Sequence, residues 1–129
     1  MKIEILQISQ STSEANAENH KVLIDKPLSQ NGSNNGATGE QLFLMSLGGD
    51  IMSHLLEEIQ LEKIKVSAIK ILVEASEPQK AQRFTQATLE FSANYEDKNS
   101  FKNCISKSLR KSIVFNTVGD IIKIQIKVV

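Results

Sequence analysis

The chain predicts an α+β fold from three observations: a helical apolar period over residues 42–59, alternating strand-like segments on both sides of it, and polar, turn-rich connectors between them. Its 129 residues have the length of one domain. A content of 40% hydrophobic and 23% charged residues is that of a globular protein, so residues 1–129 are read as a single domain. Lys plus Arg equals Asp plus Glu at 15 each, which removes the charge surplus expected of a nucleic-acid or anionic-membrane binder. Five Phe, one Tyr and no Trp leave few platforms for stacking bases.

Residues 2–8 place Ile3, Ile5 and Ile8 among polar neighbours, and residues 21–26 place Val22 and Ile24 between Lys21, Asp25 and Lys26; both predict short strands. The segments SQSTSEANAEN and SQNGSNNGATG are expected to be loops, the second because its Asn-Gly pairs favour turns. Thr38, Gly39, Glu40 and Gln41 form a T-x-x-Q capping box, with Glu40 in the first turn where the helix dipole favours a negative charge. Over residues 42–59 a broad apolar arc of Leu44, Met45, Ile51, Met52, Leu55, Leu56 and Ile59 opposes a polar face of Ser46, Asp50, Ser53, His54 and Glu57. Gly48 and Gly49 weaken the helix, which predicts that something approaches it closely.

Residues 64–75 alternate with a phase change between Val66 and Ile69, predicting a strand with a bulge. Ala87, Leu89, Phe91, Ala93 and Tyr95 alternate cleanly with polar residues, and the SEPQKAQR connector makes the two strands a hairpin. Residues 100–111 return to helical spacing through Phe101, Cys104, Ile105 and Leu109, and Ile122, Ile124, Ile126 and Val128 form a closing strand. The predicted order is β-β-α-β-β-α-β.

That order resembles the OsmC/Ohr family of osmotically induced proteins and organic hydroperoxide reductases. TGEQL stands where the family's central helix opens with a run like S-P-E-E-L, SLGGD stands at the site of the peroxide-reactive Cys, and LRKSIVFNTVGDIIKI stands for the segment that carries the resolving Cys. The resemblance runs from about Gly36 to the C-terminus and leaves residues 1–35 as a short N-terminal β region. It implies an intertwined homodimer with buried central helices, a fit for Gly48 and Gly49. It equates Glu40 with the family's active-site carboxylate, Asp50 with the peroxidatic Cys and Ser112 with the resolving Cys. The family's N-terminal Arg has no counterpart, since the arginines here are Arg83 and Arg110.

A thiol peroxidase needs a thiolate to take the peroxide oxygen and a second thiol to resolve the sulfenic acid. Asp and Ser supply neither. Cys104, the one cysteine, lies eight residues before Ser112, about 12 Å along a continuous helix, and its spacing with Phe101 and Ile105 is that of a packed core thiol. The expectation is a family member that has lost peroxidase activity and kept a pocket for a small apolar or amphipathic ligand, lined by Phe43, Leu47 and Met52. In such a pocket, burial and the like charge of Glu40 would raise the Asp50 pKa.

The alternatives are a hydroperoxide reductase using other residues and a purely structural or interaction module. Asp50 and His54 at i and i+4 could join Ser112 in a Ser-His-Asp grouping, yet no G-x-S-x-G elbow is present. Glu40, Asp50 and His54 lack the spacing of a metal motif, and His20 adds nothing firm, so no metal or cofactor is expected. One Cys permits no internal disulfide, MKIEILQISQ lacks a secretory h-region, and residues 42–61 carry Asp50, His54, Glu57 and Glu58; a cytoplasmic protein without a membrane span is expected.

Overall fold

The computed structural model describes residues 1–76, 78 and 80–129. Two compact units divide the chain, Met1–Phe43 and Leu44–Val129.

In the first unit β1 (Glu4–Gln7), β2 (Ser13–Ala17) and β3 (His20–Ile24) form an antiparallel sheet in that order. The segment expected to be a loop thus supplies the middle strand, and the N-terminal region has three strands where two were expected. SEANA lacks β-branched residues; it is held by its neighbours, with Ala15 opposite both Ile5 and Val22. Beyond β3 the chain passes Pro27 and a 3-10 turn at Leu28–Gln30, then bridges back where Ile24 pairs with Ala37. The predicted capping box forms: Thr38 N–H donates to Gln41 Oε1 at 2.9 Å, and Gln41 N–H to Thr38 Oγ1 at 3.2 Å. The buried residues described in this unit are Thr12 and Asp25, both polar, while Ile3, Ile5, Ile8, Val22, Leu23 and Leu28 are exposed.

The helix α1 (Gly39–Glu62) leads into the second unit, where β4 (Val66–Ser76), β5 (Gln86–Tyr95), α2 (Lys98–Lys111), α3 (Ile113–Val118) and β6 (Lys123–Val128) follow. The predicted bulge falls between Ser67 and Lys70, where Ala68 takes a left-handed φ of 52°. Of the SEPQKAQR connector, Glu77 and Gln79 lie outside the described residues; the strands on either side pair antiparallel as expected. β6 lies parallel to β5 on its other side. A parallel neighbour requires a crossover, which α2 and α3 supply.

One sheet face carries Ile71, Phe91 and Val128 in register, then Val73, Leu89 and Ile126, then Ala75, Ala87 and Ile124. Leu89 and Phe91 join Leu47, Ile51, Leu55 and Ile59 of α1 and Phe101, Cys104 and Ile105 of α2 in one buried cluster. The α1 strip is narrower than the predicted arc and includes Leu47, which that arc omitted; Met45 and Leu56 are exposed. A strip at four-residue spacing is as much of the helix as this unit itself covers. Across the α1–α2 contact, the buried Glu58 carboxylate pairs with Lys111, and Glu62 pairs with Lys107. The Lys111 hydrogen bond holds the Glu58 carboxyl below its ordinary pKa.

The two glycines of α1 differ. A Cβ on Gly48 would stand 2.9 Å from Val73 Cγ2, whereas one on Gly49 would meet nothing within 4 Å. Replacing a helical Gly by Ala ordinarily stabilises by about 1 kcal/mol, but Val73 is stiff at χ1 and β4 cannot retreat without opening the core. Gly48→Ala is therefore expected to lower the urea midpoint, at a cost of about 1–3 kcal/mol, and adding Val73→Ala should recover part of the loss. Additive effects of the two substitutions would show that the contact carries no strain.

Candidate functional site

The inward strip of α1 sets the phase of the helix and leaves Asp50 and His54, one turn apart, only partly buried. α2 ends at Ser112, whose extended φ and ψ of −67° and 116° start the short α3 in a new direction. Ser112 is fully buried. Its Oγ donates to Asp50 Oδ2 at 2.6 Å and accepts from the Phe115 N–H at 3.1 Å, while the Val114 N–H donates to the same Asp50 oxygen at 3.1 Å. Asp50 and Ser112 together thus cap α3, Asp50 acting from 62 residues away in sequence. Neither α3 nor the Val114 contact was anticipated from sequence, because six residues give too short a period to read.

Hydrogen-bonding and charge contacts favour the ionised carboxylate. The Ser112 hydroxyl is the strongest, opposed by partial burial and aided by the Val114 N–H and His54, so the Asp50 pKa is lowered. This corrects the expected rise: the side chain is still 28% exposed, and its nearest partners are donors. Glu40, the other carboxylate of that expectation, is exposed in the first turn of α1 within the first unit.

His54 Nε2 lies 3.8 Å from Asp50 Oδ1 and its Nδ1 lies 3.7 Å from Glu57 Oε2. The order is Ser112, Asp50, His54, with the carboxylate in the middle. Acyl transfer by a triad needs the imidazole between hydroxyl and carboxylate, so the Ser-His-Asp grouping imagined from sequence is not formed. Among the described residues no three His, Cys, Asp or Glu side chains gather in a group that could hold a metal ion. Arg110 hydrogen-bonds Ser106 on its own helix at 3.0 Å, and both Arg83 and His20 are exposed.

Cys104 is wholly buried, as its helical spacing predicted. Burial first, then the charges of Glu62 and Glu58, push its thiol pKa up, which disfavours the thiolate. The pocket expected from Phe43, Leu47 and Met52 needs correction at Leu47, which has no exposed surface and belongs to the core. Open cavities of about 520 and 510 Å³ lie elsewhere on the β4–β5–β6 sheet, one beside Glu74, Thr88 and Lys123, the other beside Ile64, Val66 and Tyr95. No helix among the described residues is long and apolar enough to cross a membrane.

The family model described as OsmC-like protein matches residues 32–127. No curated protein matches the chain by sequence. Among solved structures, a hypothetical protein from Aquifex aeolicus VF5 is similar with a TM-score of 0.86 at 14% identity, covering 99% of this chain and 93% of that one. An OsmC-like protein from Mycoplasma pneumoniae reaches 0.85 at 15% identity, over 99% and 94%. The organic hydroperoxide resistance protein OhrB of Bacillus subtilis reaches 0.69 at 11% identity, over 100% and 98%. At these identities the likeness establishes the α+β fold, with its two sheets and helices, and not the chemistry.

Asp50→Ala would leave the buried Ser112 hydroxyl and the Val114 N–H without their acceptor, at an expected cost of about 1–3 kcal/mol in urea denaturation at neutral pH. Because the folded-state pKa of Asp50 is depressed, its ionisation contributes stability above the ordinary value of 3.8 that is lost as pH falls through the lowered one. The stability gap between native protein and Asp50→Ala should therefore narrow in acid. A gap that is the same at both pH values would mean that the carboxylate's charge is not what caps α3.

Proposed function

Because the chain belongs to the OsmC-like family, we propose that it is a non-peroxidatic member, a dimeric scaffold that binds a small apolar or amphipathic molecule and does not reduce hydroperoxides. One observation carries the reading: at the positions that the resemblance equates with the two redox cysteines, a carboxylate and a hydroxyl hydrogen-bond at 2.6 Å. An oxygen pair held this way has no route to a sulfenic acid or a disulfide. The sole thiol, Cys104, is buried and biased toward its protonated form, so it is poorly placed to substitute. Glu40 would then be a family position kept at the head of α1 without a thiol to serve.

The homodimer is supported by the first unit. A three-stranded sheet with no buried apolar side chain among its described residues does not stabilise itself, and a second copy of the chain would cover its exposed Ile and Leu residues. The exposed side of α1 around Met45, Gly49 and Leu56 fits the same role. The competing reading, hydroperoxide reduction with another residue set, draws on the names of similar proteins such as the organic hydroperoxide resistance protein from Legionella pneumophila, a likeness at 16% identity.

Three measurements separate these readings. An alkyl hydroperoxide with a dithiol reductant should be consumed no faster with the protein than without it; turnover that disappears in Cys104→Ser would sink the non-peroxidatic reading. Light scattering should give twice the 14.3 kDa of one chain, and a mass near one chain removes the dimer. Native mass spectrometry of freshly purified protein should carry a reproducible added mass per subunit, whereas a bare scaffold would leave only the interaction role.

A further inference from the structure

The carboxylate of Asp25 is 3% exposed and accepts four hydrogen bonds: from the Thr12 hydroxyl at 2.9 Å and from the N–H groups of Lys26 at 2.7 Å, Asn35 at 3.1 Å and Ser33 at 3.4 Å. They hold the loop after β3 closed on the first unit. Burial alone would raise the Asp25 pKa, yet the Asn35 N–H, the Thr12 hydroxyl and the Lys26 N–H bring it from 3.8 down to about 2.

The latch imposes two residue types in succession. The Thr12 hydroxyl has one proton, which it gives to Asp25, so its remaining contact must come from a donor. Asn35 Nδ2 supplies it at 3.1 Å. At the next position a Cβ would stand 2.2 Å from the Leu23 carbonyl oxygen, so only glycine fits. The fold therefore calls for a donor side chain, met here by the Asn35 amide, directly before a glycine.

We propose that Asn35 is a site of spontaneous deamidation and that its conversion undoes the latch. The Gly36 nitrogen, losing its proton to solvent base, attacks Asn35 Cγ; the bond from Cγ to Nδ2 breaks, and ammonia leaves with a proton from water. The cyclic imide is then opened by water at either carbonyl, giving an aspartyl or an isoaspartyl residue. The attack is intramolecular, between adjacent residues, and needs no partner but water. The new carboxylate offers acceptors alone, so it faces the lone pairs of Thr12 instead of donating to them and adds a second negative charge beside Asp25. The isoaspartyl form also lengthens the main chain between the Asn35 N–H and Gly36.

The test uses the full chain, aged in mildly alkaline buffer and mapped by peptide mass spectrometry with hydrogen exchange. Asn31, whose following Gly32 would also clash at 1.9 Å with Lys26 O but whose side chain is outside the latch, serves as the internal control. The expected result is the mass gain of an amide becoming an acid at Asn35, with loss of amide protection at Lys26, Ser33 and Asn35 in the converted fraction. Asn35→Asp should reproduce that loss at neutral pH. As the pH is lowered and the introduced carboxyl regains a proton to donate to Thr12, protection factors at these amides should rise again, an outcome that general misfolding would not give. Conversion confined to Asn31, or native protection in Asn35→Asp at neutral pH, would overturn the proposal.

Discussion

The rotational setting of α1 is the constraint on which the second unit rests. Leu47, Ile51, Leu55 and Ile59 must face Leu89 and Phe91 to leave water, and Gly48 sits in the same inward face because β4 leaves no room for a Cβ there. Once that face is chosen, Asp50 and His54 follow by helical geometry. Only then does the end of α2 meet a carboxylate. The polar site is thus a consequence of core packing, and a change in the phase of α1 would dissolve both together.

Asp50 and Ser112 divide between them a task usually done by one residue. Ser112 takes the Phe115 N–H as an ordinary N-cap, and its own proton goes to a carboxylate that also receives the Val114 N–H. Ser112 Oγ and Asp50 Oδ2 are both taken up by structural hydrogen bonds, which is the opposite of a reactive site, where a nucleophile or base is left available. This is why the arrangement argues for a retained scaffold more strongly than the bare replacement of two residues would. The helix pair is clamped nearby by Glu58 with Lys111 and Glu62 with Lys107, so α1 and α2 are tied by charge on one side and by Cys104 and its apolar neighbours on the other.

Much of this was legible in the chain itself. The capping box at Thr38 and Gln41, the bulge near Ala68, the alternating face of β5 and the core position of Cys104 are local patterns, and each is found where its pattern lies. β2 was not legible, because Glu14, Ala15 and Asn16 have no strand preference and are fixed only by partners on both sides. The buried state of Glu58 depends on Lys111, far along the sequence, and has no local mark. The direction of the Asp50 pKa failed for the same reason: the choice between a lone buried carboxyl and a hydrogen-bonded cap is made by α3, which no periodicity announced.

One sulfur atom sealed in the interface of α1, α2 and the sheet has a practical meaning. Since Cys104 is the only thiol and has no exposed surface, a thiol-modifying dye can reach it only when the packing around it opens. The molecule thereby carries an intrinsic label on its own breathing, one that stays silent while the second unit's interior holds and is consumed when that interior ruptures.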